Sequence, residues 1–104
     1  MSSNNFTIRL MGGRVISDFV DDNVDVEVLL PDGNAFLATF FTIQNIIAIM
    51  HKDALTGESE SGSYFWASDM VLVRNLTLET ISTAISGLMR EGYFHKAFRP
   101  KVVC

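Results

Sequence analysis

Residues 23–41 read NVDVEVLLPDGNAFLATFF, and this stretch decides the fold. Its valines alternate with Asp25 and Glu27, a pattern typical of a strand with one buried and one wet face. The PDGN sequence at 31–34 favours a turn, because proline presets φ and glycine tolerates positive φ. The apolar run 35–41 then returns as the partner strand, so the stretch predicts a pair of neighbouring strands.

Three further segments have strand-like patterns. Residues 6–10 alternate apolar and polar side chains, and residues 14–20 form a second, weaker candidate. Residues 64–73 are strand-like as well, with a break expected near Ser68 and Asp69. Together with the hairpin, these segments predict a sheet of four to five strands.

Two amphipathic helices are predicted, and both begin with the same signal. Thr42 and Thr77, 35 positions apart, each follow an apolar residue and precede an isoleucine four positions further on. A threonine in this position caps a helix, and the flanking apolar pair staples its first turn. Apolar residues then recur at helical spacing, at Ile43, Ile46, Ile47, Met50 and Ala54 in the first helix and at Ile81, Ala84, Ile85, Leu88 and Met89 in the second.

The resulting element order is β-β-β-β-α-β-α with a short tail. This order predicts a single α+β domain over residues 1–104, in which two helices pack on one face of an antiparallel sheet.

Charge is scarce and unevenly distributed. Charged residues make up 19% of the chain, below the ~25% of an ordinary domain. Either a rich core or apolar surface buried against another subunit explains this value. Residues 15–50 contain six acidic residues and no Lys or Arg, whereas the charged residues of 90–101 are four Lys or Arg and one Glu.

This charge pattern argues against a nucleic-acid-binding role, which needs a clustered basic face. Residues 77–94 resemble the recognition helix and first wing strand of winged-helix DNA-binding domains. However, the exposed positions of that helix carry no Lys or Arg to meet phosphate. We therefore predict no nucleic-acid partner.

The sequence predicts neither a cofactor nor a metal site. His51, His95 and Cys104 are too far apart to form a ligand motif, and a single cysteine cannot form an intramolecular disulfide. The longest apolar-rich stretch, 35–50, is too short and too polar to span a bilayer. A cytoplasmic protein without a membrane partner is expected.

For function, the acidic stretch favours a non-enzymatic interaction protein. Asp25 and Glu27 on one strand face could steer a basic protein partner, as in an accessory or immunity-type inhibitor. A homodimer is also predicted, with an interface formed by three tail aromatics, Tyr93, Phe94 and Phe98.

The alternative is a small-ligand-binding domain or an unrecognised small enzyme. Its pocket would lie between sheet and helices, lined by Tyr64, Trp66 and Phe40 and reached by the carboxylate of Asp69. No nucleophile-and-base constellation supports a specific catalytic residue.

The run YFWASDMV at 64–71, followed by a capped helix and EGYF at 91–94, resembles uncharacterised small bacterial proteins carried on mobile gene cassettes. The resemblance implies a stand-alone bacterial α+β domain in the cytoplasm. It assigns no functional residue.

Overall fold

An open five-stranded sheet organises the chain, and helices complete the α+β fold that the sequence predicts. The computed structural model describes residues 5–101. The strands are β1 (Thr7–Leu10), β2 (Asn23–Leu29), β3 (Ala35–Thr42), β4 (Met70–Val73) and β5 (Arg99–Pro100). They lie in the order β1-β2-β3-β4, and β5 pairs with β3 beyond the end of β4. All pairs are antiparallel except β3–β4, which is parallel.

The predicted hairpin of β2 and β3 is confirmed. In its register, the valines of β2 lie opposite Phe36, Ala38 and Phe40, and both sets are buried. We call this side of the sheet the core face. The opposite side, which carries Asp25 and Glu27, is the open face. The turn between the strands closes as expected, with Gly33 at φ +91°.

The helices are α1 (Ile43–Thr56), α2 (Glu58–Gly62), α3 (Leu78–Arg90) and α4 (Phe94–Ala97), and a short 3-10 helix spans Met11–Gly13. Both predicted threonine caps are present: the Thr42 hydroxyl accepts a hydrogen bond from the Asn45 amide at 3.1 Å, and the Thr77 hydroxyl accepts one from the Thr80 amide at 3.2 Å. Such bonds satisfy amides that would otherwise have no partner inside the helix.

The hydrophobic core lies between the core face and helices α3 and α4. From α3, Ile81 and Ile85 are fully buried. From the tail, Phe94 packs edge-on against Phe36, and Phe98 packs against Phe40. Of the two predicted helices, only α3 contributes to this core, and the second helix on the core face is the short α4 of the tail.

Two local predictions were wrong. Residues 14–20 form an irregular segment anchored by the buried Ile16, not a strand. Only residues 70–73 of the segment 64–73 are strand; the break predicted near Ser68 and Asp69 is present, since Asp69 adopts a left-handed φ of 50° just before β4. Between α1 and residue 64, α2 is a single turn in which Ser59, Glu60 and Ser61 also have left-handed φ.

Candidate interaction surface

Helix α1 lies outside the hydrophobic core of its own chain. It starts on the open-face side, where the Asn45 side chain accepts a hydrogen bond of 2.8 Å from the Asn23 side chain. No hydrophobic residue of α1 is buried, and Asp53 is its only buried residue. Of the residues predicted to form its buried stripe, Ile46 and Met50 are only partly buried, and Ile43, Ile47 and Ala54 are exposed.

Segment 62–66 connects α1 to the open face. Gly62 lies so close to α1 that an added Cβ would be 2.3 Å from the Met50 carbonyl oxygen. Three residues later, the ring of Phe65 packs edge-on against Phe41, with ring centroids 5.0 Å apart. Tyr64 and Trp66 flank Phe65 and remain exposed.

Strand β4 adds one exposed apolar residue on the open face. Leu72 pairs with Phe41 in the β3–β4 register and is half exposed at the edge of the sheet. We use the name α1 surface for the exposed apolar residues of α1, segment 62–66 and β4: Ile43, Ile47, Leu55, Tyr64, Trp66 and Leu72, which are between 48% and 89% exposed. Large exposed apolar patches mark interaction sites on folded proteins.

The predicted acidic pair on β2 is only partly available to a partner. Asp25 is exposed, and its carboxylate accepts a 2.6 Å hydrogen bond from the Thr39 hydroxyl. Glu27 is buried between Lys101 Nζ and Arg9 Nε, each 2.8 Å from one carboxylate oxygen.

The environment of Glu27 keeps its carboxylate charged. The hydrogen bond from Lys101 and the positive charge of Arg9 hold the pKa of Glu27 below its ordinary value, although burial alone would raise it. With two cations already in contact, Glu27 is not free to meet a basic partner, and that part of the prediction needs correction.

The four residues expected to form a pocket do not come together. Phe40 is fully buried on the core face, whereas Tyr64 and Trp66 are exposed on the α1 surface. The Asp69 carboxylate instead forms a salt bridge of 3.2 Å with Arg99 on the open face. A separate depression of about 240 Å³ lies on that face, and its lining includes Asp25 and Arg99.

The predicted dimer interface also requires correction. Phe94 and Phe98 are 4% and 2% exposed, so they belong to the core of their own chain. Of the three tail aromatics only Tyr93 is exposed. β5 explains the difference, since its pairing with β3 folds the tail back onto the sheet.

Residues 5–101 have neither a grouped metal-ligand set nor a membrane-spanning helix. Within this range, no three His, Cys, Asp or Glu side chains are grouped so that they could hold a metal ion. Nor does any described helix have the length and hydropathy needed to cross a membrane. Cys104, the third residue considered as a zinc ligand, lies outside the described residues.

The sequence contained one signal for the α1 surface that periodicity alone did not reveal. Apolar residues occur almost all the way round α1, including at Ile43, Ile47 and Leu55, so one packed face cannot cover them all.

Comparison of the chain with protein-family models, with curated proteins and with solved structures found no match.

Proposed function

We propose that this chain is a non-enzymatic interaction protein whose α1 surface binds another protein. The observation that carries the proposal is the position of α1, which exposes Ile43, Ile47 and Leu55 and adds no hydrophobic residue to the core. Leaving such residues in water forgoes about 25 cal/mol for each Å² that a partner could cover. Aromatic anchors such as Trp66, 71% exposed, are typical of binding hot spots.

Affinity capture with matched variants tests this function. Immobilised wild-type chain should retain protein from a lysate of its host, whereas Ile47→Lys should not, because the lysine places a charge in the apolar surface. The control is Val15→Lys, which changes an 87% exposed valine in the segment between β1 and β2. If Ile47→Lys retains the same proteins as wild type, the α1 surface is not the binding site.

A basic partner remains the narrower form of this proposal. The net charge of −4 and the exposed Asp25 favour it, but Glu27 is already paired with Lys101 and Arg9. Steering by the remaining acidic residues would make association strongly salt-dependent. Capture that is unchanged between low and high salt would contradict a basic partner and leave apolar docking in place. A cytoplasmic location stays a prediction.

A small-ligand site is the second candidate, supported by the depression beside Asp25 and Arg99. A ligand there would raise the melting temperature by mass action. A metabolite screen should then give shifts that Arg99→Ala removes. A screen without any shift would count against this candidate.

A further inference from the structure

We propose that the protein docked on the α1 surface is a second copy of this chain, joined through strand β4. The inference rests on the proposed function and names its partner. β4 pairs with β3 on one side only, and within residues 5–101 no strand pairs with its other side. An open edge of this kind presents unpaired amides and carbonyls to any strand of matching sequence.

The β4 edge lacks the features that normally protect an edge strand. Its sequence, MVLV, contains no charge and no proline, and Leu72 is half exposed. The opposite edge of the sheet differs, because β1 contains Arg9, which is paired with Glu27. Proteins commonly place charges or proline on edges to prevent pairing, so the β4 edge is suited to a partner strand.

Two-fold symmetry restricts how two β4 strands can pair. A rotation axis normal to the sheet reverses strand direction and keeps each face on its own side, so a residue must lie opposite one of the same face. One register that satisfies this places Val71 opposite Val71 of the second copy. Leu72 then lies opposite Met70 of the second copy, and both side chains are apolar. In this arrangement the two α1 helices lie on the same side of the extended sheet.

The charges that flank β4 are compatible with this register. Arg74 is exposed and forms no salt bridge within the described part of the chain. In the Val71 register it lies opposite Ser68 of the second copy, one residue from Asp69. The carboxylate of Asp69 already pairs with Arg99 of its own chain, so this contact is not counted in favour of the dimer. The register opposes no like charges within the paired strands.

The exposed apolar area approaches what a dimer needs. The six side chains, each about half exposed or more, present on the order of 600 Å², below the ≈800 Å² per partner of a standard interface. The backbone edge of β4 supplies further area. None of the six carries a charge, which suits the centre of an interface between identical copies.

Sedimentation velocity from about 1 to about 100 μM tests the association itself. The mass should rise with concentration from 11.6 kDa towards twice that value. Leu72→Lys should weaken association at least about tenfold, since it adds an edge charge, whereas Val15→Lys should leave it unchanged. Circular dichroism checks that both variants remain folded. A wild-type mass of 11.6 kDa at every concentration overturns the inference, as does a dimer that Leu72→Lys does not weaken.

Cysteine cross-linking tests the register. In a Cys104→Ser background, Val71→Cys should oxidise to a disulfide-linked dimer, because paired strands hold opposite Cα atoms within disulfide range. Leu72→Cys should cross-link poorly, since Met70 lies opposite it. The reverse result overturns the Val71 register. If the chain is monomeric but Ile47→Lys still abolishes capture of a host protein, the second-copy inference fails and the proposed function stands.

Discussion

Helices α1 and α3 begin with the same threonine cap but differ in how far their apolar residues are buried. In α3, Ile81 and Ile85 are fully buried against the sheet. In α1, Ile43 and Ile47 are about half exposed although their spacing is just as helical. Capping and periodicity therefore define a helix, whereas the surface opposite the helix decides whether its apolar face is buried.

The two faces of the sheet explain the difference. α3 lies over the core face, where β2 and β3 present Val24, Val26 and Phe40. α1 starts on the open-face side, where the same strands present Asp25, Glu27 and Thr39, which are paired with one another or with cations. An apolar helix gains little by covering charged groups, because burial would strip their water.

The largest expected difference in the free energy of unfolding is between two truncations, one isoleucine in each helix. Ile85→Ala should lower the free energy of unfolding by about 2–5 kcal/mol, because it leaves a cavity in a packed core. Ile47→Ala should change it by less than about 0.5–1 kcal/mol when the chain is monomeric. Urea titration at low protein concentration measures both. Equal losses would mean that α1 is part of the core.

Alanine substitutions at two glycines test whether the close contact between α2 and α1 contributes to stability. Gly62→Ala should destabilise by more than about 1 kcal/mol, since φ is +79° and the new Cβ would meet the Met50 carbonyl oxygen. Gly57→Ala is the matched control, with φ +87° and open space around the added Cβ. Thermal melts of both should show the greater loss for Gly62→Ala. Similar losses would show that the contact with α1 contributes nothing beyond backbone strain.

The two caps should differ by a smaller amount. Thr77→Ala should cost about 1 kcal/mol, the usual value for a lost cap. Each hydroxyl has a further partner, the backbone of Asp22 for Thr42 and the side chain of Asn75 for Thr77. Thr42→Ala should cost more, because Thr42 is fully buried and Thr77 is only partly buried. Chemical denaturation of both variants, with Thr→Ser controls that retain the hydroxyl, checks the order. The opposite order would show that burial does not set the strength of the cap.

The smallest effect concerns pH. Because the folded-state pKa of Glu27 is lowered, its charge stabilises the fold above the ordinary value of 4.5, and this contribution is lost as pH falls through the folded-state pKa. Wild type should therefore be more stable than Glu27→Gln near neutral pH, and the difference should shrink below pH 4.5. Melting curves across this range measure it. A difference that is constant with pH would show that the ion pairs with Arg9 and Lys101 contribute no net stability.

Much of the fold could be predicted from local patterns. The alternation around Asp25 and Glu27, the PDGN turn and the two threonine caps each depend on neighbouring residues, and all are present. The errors fall where distant contacts decide. Residues 14–20 have a weak strand pattern, yet Ile16 is the residue that anchors them to the core.

The candidate site was largely beyond sequence reasoning. An exposed acidic pair was expected on β2, but Lys101, 74 positions away, closes over Glu27. The tail aromatics were expected at an interface, but β5 returns Phe94 and Phe98 to the core. Tyr64 and Trp66 were expected to line a pocket with the core residue Phe40. The first two errors came from contacts between residues far apart in the chain, and the third arose because Tyr64 and Trp66 lie outside the core.

Amide hydrogen exchange, compared between α1 and α3 at two protein concentrations, measures directly whether α1 lies outside the core of its own chain and is covered by a second copy. In dilute solution the amides of α1 should exchange through local opening, much faster than those of α3 around Ile81 and Ile85. Raising the concentration should slow exchange in α1 and in β4 around Leu72, as a second copy covers them. The account is contradicted if α1 is as protected as α3 in dilute monomer, because α1 would then belong to the core of its own chain.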